Sequence, residues 1–97
     1  MCTNFIFIGW NNEEGHDKVW AAVEVEGCYY AAWGRRGKKL QFKRHSWSST
    51  LNSLAFEKQT KKGYKEVEAF LLFTIFPDFE ERLEEELLMA SMAGKVK

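Results

Sequence analysis

Apolar and polar positions alternate through the first half of the chain and recur at helical spacing in much of the second. Asn4 to Trp10 is β-branched and aromatic, and the polar, glycine-containing run Asn11 to Asp17 reads as a loop after a strand. From Lys18 to Val25, the residues Val19, Ala21, Val23 and Val25 alternate with Lys18, Trp20, Ala22 and Glu24, which predicts a second strand. Glu26-Gly27 fits a two-residue hairpin turn leading into a third strand over Cys28–Arg35. Lys39 to His45 alternates again, with Leu40 and Phe42 on one side and Lys39, Gln41, Lys43 and His45 on the other.

Helical spacing begins further on. Ser46-Trp47-Ser48-Ser49-Thr50 offers several N-cap residues, and Leu51, Leu54, Ala55 and Lys58 then share one stripe. A helix is predicted over Thr50–Lys62, closed by lysines at its negative end and by Gly63 in a left-handed cap. Tyr64 to Phe76 is ambiguous: it alternates at first and is then nearly all apolar, which suits either a buried strand or a short core helix. Pro77 breaks this run, and Asp78 with Glu81 resembles a capping box for a last helix. Phe79, Leu83, Leu87 and Ala90 form its buried face, Glu80, Glu81, Glu84 and Glu85 its outer one, and the tail Gly94–Lys97 is expected to fray. The fold class is α+β: a small antiparallel sheet of three to five strands, one helix packed on a face and a C-terminal acidic helix.

At 97 residues the chain makes one domain, spanning 1–97, and its 45% hydrophobic and 15% aromatic content is that of a folded globular chain. The formal net charge of zero conceals a segregation. Residues 35–65 hold ten basic residues against one acidic, a local +9, while residues 1–34 sum to −4 and residues 66–97 to −5. A basic centre between acidic flanks suggests an anionic partner, although a solvated surface paired within the fold would share the pattern. Cys2 and Cys28 have neither metal-ligand nor Cys-x-x-Cys spacing, so no metal site or cofactor is expected. There is no signal-peptide pattern, and the apolar run Ala69–Phe76 falls far short of the roughly 20 residues a membrane helix needs. A reduced, cytoplasmic protein without a membrane partner is the expectation.

The chemistry concentrates in Tyr29-Tyr30-Ala31-Ala32-Trp33-Gly34-Arg35-Arg36-Gly37, an aromatic strand entering a glycine-punctuated basic turn. Side chains two apart on a strand share a face, so Trp33 and Arg35 sit side by side with Tyr29 and Ala31. In one reading Trp33 packs in the core and Arg35 covers it. In the other the ring stacks on a sugar or base while the guanidinium binds phosphate. Arg36, Lys38, Lys39, Lys43 and Arg44 follow closely, and a basic patch interleaved with aromatics favours nucleic acid.

The ordered combination of Trp33-Gly34-Arg35-x-Gly37, a strand with Phe42, a helix, and Lys62-Gly63-Tyr64 resembles a WGR domain over about residues 17–68. WGR domains occur in poly(ADP-ribose) polymerases, where they contact DNA at breaks, and in many bacterial proteins. The resemblance implies a small antiparallel sheet with a helix on one face, Trp33 stacked on the sugar of a terminal nucleotide, and Arg35 on DNA backbone or a neighbouring domain. Asp17 stands where the family opens its first strand with an asparagine that approaches the end phosphate.

No nucleophile, base and acid are spaced for catalysis around His16 or His45, so no enzyme activity is expected. The expected function is a stand-alone nucleic-acid-binding module, DNA favoured over RNA. Its binding residues are Trp33, Arg35, Arg36, Lys38, Lys39, Lys43 and Arg44. The alternative is a protein–protein adaptor using the same face. The C-terminal helix serves packing in one reading and a protein partner or homodimer in the other.

Overall fold

Strand β2 (Lys18–Val25) is apolar on both sides, and this places it in the middle of the molecule. The computed structural model describes residues 3–94; Cys2 and the tail residues Lys95 to Lys97 lie outside them. Around β2 run β1 (Thr3–Asn11), β3 (Cys28–Arg35), β4 (Gln41–His45) and the two-residue β5 (Lys65–Glu66), joined as one antiparallel sheet in the order β4-β3-β2-β1-β5. Helix α1 (Ser48–Lys61) covers one face, meeting Phe7, Trp20, Ala22, Ala31 and Tyr64 through Leu51 and Ala55. Helices α2 (Ala69–Ile75) and α3 (Phe79–Gly94) cover the other, where Leu72, Ile75, Phe76, Phe79 and Leu83 pack on Ile8, Val19, Ala21, Val23 and Val25. The fold is α+β, as the alternation predicts.

Strand β1 serves both cores because it bulges. Phe5 pairs with Val23 and Phe7 with Ala22, leaving Ile6 as the extra residue. Without that insertion Phe5 and Phe7 would point the same way; with it, Phe5 joins the α2–α3 core and Phe7 the α1 core. Gly9, opposite Trp20, leaves room for the next layer. A Cβ there would lie 2.7 Å from the Phe7 ring and 2.9 Å from the Tyr64 Cβ.

The ambiguous run from Tyr64 resolves into a two-residue exposed edge strand and then the short core helix. Lys65–Glu66 pairs with β1, the Val67 amide donates to the Ile8 carbonyl, and the chain then coils into α2. Leu72, Ile75 and Phe76 face the sheet as a helical stripe hidden within an almost continuous apolar run, and Phe79 and Leu83 of α3 join them. The Arg82 amide donates to the Asp78 carbonyl, so α3 starts where Pro77-Asp78 predicts.

Two boundaries differ from expectation. β4 begins at Gln41 rather than Lys39, because Leu40 is buried against Gly34 at the mouth of the turn before pairing starts. α1 begins at Ser48 rather than Thr50, with Trp47 in the extended cap position and no side-chain cap, so none of the candidate serines caps it. Its other end is capped as predicted: Gly63 takes φ 75°, and the Lys62 and Tyr64 amides donate to the Lys58 carbonyl.

Asn11, a buried polar residue, ties this end to the sheet. Its Nδ2 donates to the Lys62 carbonyl at 3.0 Å, and its Oδ1 accepts the Glu13 amide at 3.2 Å. Asn11→Ala should lower unfolding free energy by about 1–2 kcal/mol, because both bonds vanish from a site closed to water. A urea midpoint unchanged from the parent would show that the amide is dispensable.

Candidate functional site

A two-residue turn sets the geometry of the aromatic strand. Glu26 (φ 51°) and Gly27 (φ 77°) both adopt the left-handed conformation that suits a tight hairpin. Val25 therefore pairs with Cys28, and the ladder carries Trp20 opposite Trp33 and Lys18 opposite Arg35. On the far side of β3, β4 places Gln41 opposite Trp33, Lys43 opposite Ala31 and His45 opposite Tyr29. Since paired residues share a face, Lys18, Trp20, Trp33, Arg35, Gln41, Lys43 and His45 all lie on the α1 face. Gly34 holds the strand end close to the opposite core: a Cβ there would lie 3.2 Å from the Phe76 ring and 3.3 Å from Leu40.

Two depressions open on this face, and Trp33 and Tyr64 line both. One, of about 240 Å³, is formed by Trp20, Ala31, Trp33, Leu54 and Tyr64 with Lys43, His45 and Lys58. The other, of about 290 Å³, is formed by Lys18, Arg35, Lys38 and Lys39 with Gln41, Gly34 and the shared aromatics. Trp33 is half-buried, so it is neither a sealed core residue nor a free ring. Tyr64 is buried beneath, with the Lys18 ammonium 6.0 Å and the Lys58 ammonium 5.8 Å from its ring centre.

The charge at the site is unbalanced. Among the described residues the ion pairs are Arg36–Asp17 at 2.6 Å and Lys65–Glu13 at 2.9 Å, so Lys18, Arg35, Lys38, Lys39, Lys43 and Lys58 carry no carboxylate partner. Burial and the nearby Lys43 charge depress the His45 pKa, which favours the neutral imidazole beside these cations. Burial raises the Tyr64 pKa, so its phenol stays protonated. The face around Trp33 is thus cationic and partly desolvated.

Of the seven residues singled out from sequence, the structure brings five together: Trp33, Arg35, Lys38, Lys39 and Lys43. Arg36 and Arg44 are placed elsewhere. The Arg36 Nε donates to Asp17, whose other carboxylate oxygen accepts the Trp10 indole N–H at 2.9 Å. Those two bonds, the indole first, hold the Asp17 carboxyl below its ordinary range and make it a clasp between the β1–β2 loop and the β3–β4 turn. Arg44 pairs with Tyr30 and so projects to the opposite face, beside Glu26, Cys28, Leu87 and Ala90. Strand parity separates it from Lys43. Lys18, His45, Lys58 and Tyr64 complete the recess and were absent from the sequence-derived set, although the hairpin register through Glu26-Gly27 already sets Lys18 beside Arg35. No family model, curated protein or solved structure matches the chain. No helix among the described residues is long and apolar enough to cross a membrane, and no group of histidine, cysteine or acidic residues there could hold a metal ion.

Proposed function

We propose that this chain is a WGR-like nucleic-acid-binding module, DNA favoured over RNA, with no chemistry of its own. The observation that carries the reading is the pair of recesses on either side of Trp33, rimmed by six cations without a carboxylate partner among the described residues. Cations left unpaired around a partly buried aromatic suit a ligand in which phosphates alternate with flat rings. The Trp33-Gly34-Arg35 motif points to the same residues.

Salt titration tests it. Phosphate binding releases counterions, so the logarithm of the affinity should fall linearly with the logarithm of salt, with a slope of about −0.9 per neutralised phosphate on duplex DNA or −0.7 on a single strand. Arg35→Ala or Lys39→Ala should make that slope shallower by about one such increment. Arg44→Ala, on the opposite face, should leave it unchanged. An affinity for nucleic acid insensitive to salt would contradict phosphate binding at this face.

A further inference from the structure

We infer that this site takes single-stranded nucleic acid, holding two consecutive nucleotides astride the wall made by Trp33 and Tyr64; the inference rests on the nucleic-acid reading and specifies its ligand. The shape of the site carries it. Both recesses are concave, each is of the order of one nucleotide in volume, and they share that wall. Base faces inside a duplex are stacked on one another, so they cannot enter a recess flanked by the Leu54 and Lys58 side of α1. An unstacked strand can turn its bases into it while its backbone runs past the cations.

The two recesses are alike in kind. The first sets Lys43, Lys58 and His45 around Trp20, Ala31, Leu54 and the two shared rings, which offers a base an apolar wall and its phosphate a cation. The second sets Lys18, Arg35, Lys38 and Lys39 around Gly34 and the same two rings, so it too offers an apolar wall for a base and cations for its phosphate. Trp33 is half-buried between Gln41 on β4 and Trp20 on β2, so it loses less side-chain entropy on stacking than a fully exposed ring would.

The test compares a labelled ten-nucleotide thymidine strand with a blunt hairpin duplex of equal phosphate number at one salt concentration, alongside a uridine strand of the same length. At least one of the two single strands should bind about tenfold or more tightly than the duplex, as base stacking on an aromatic implies. Lys43→Ala combined with Lys58→Ala, shown by circular dichroism to be folded, should erase most of that preference. If the duplex binds as tightly as the strands and these variants weaken it, nucleic-acid binding stands and the single-strand inference falls. If neither strand nor duplex binds, both fall.

Discussion

Replacing Phe79 by alanine is expected to lower the stability of this protein by about 3–5 kcal/mol. Phe79 is fully buried, and its ring lies 5.9 Å from that of Phe5, 6.0 Å from Phe42 and 6.2 Å from Phe73. It therefore joins β1, β4 and α2 at the first turn of α3, and its removal leaves a cavity bounded by three elements that cannot all collapse into it. For a chain of this size each kcal/mol shifts the melting midpoint by about 4–8 °C, so thermal denaturation should show a fall of at least about 12 °C. Phe79→Leu, which keeps most of the apolar volume, should cost less. A dimer that dissociates with no change in melting midpoint would instead make α3 an interface.

Strands β2 and β4 were legible because they alternate over five or more residues, and β3 because the turn that joins it to β2 has a glycine where φ must be positive. Val19, Ala21, Val23 and Val25 against Trp20 and Ala22 identify a strand with two covered faces, although the sequence does not say which helix covers which. The stretch after Tyr64 was harder for a physical reason. In Ala69–Phe76 almost every position is apolar, so the helical stripe of Leu72, Ile75 and Phe76 has no polar contrast to stand out against. The bulge at Ile6 was equally hidden, since Phe5, Ile6 and Phe7 are all apolar and either parity reads as a strand.

Replacing Trp33 by alanine is expected to weaken nucleic-acid binding about tenfold or more, since stacking one base on an aromatic contributes roughly 1–3 kcal/mol. The ring walls both recesses, so its loss removes the surface on which each nucleotide would rest while leaving every cation in place. The salt slope should therefore change little, unlike in Arg35→Ala. Trp33→Leu should preserve the contact with Trp20 across the ladder and retain the fold, yet bind as poorly as the alanine variant because it lacks a π-face.

The candidate site was legible in one strand and incomplete beyond it. Alternation places Trp33 and Arg35 together, and the Leu51, Leu54, Ala55, Lys58 stripe brings Lys58 to the sheet. Alternation over Lys39–His45 already puts Lys43 and Arg44 on opposite sides, but the loop from Arg36 to Leu40 gave no register to say that the recess lies on the Lys43 side and α3 on the Arg44 side. Nor does local sequence show that Arg36 would clasp Asp17, a pairing 19 residues distant that depends on the closing of the hairpin.

The most direct measurement is the affinity of Trp33→Ala for a short oligonucleotide, taken beside the parent protein after circular dichroism has shown both to be folded. The account predicts a loss of about tenfold or more with a nearly unchanged salt slope. A folded Trp33→Ala protein, backed by a folded Trp33→Leu protein, that binds every nucleic acid as the parent does would contradict it.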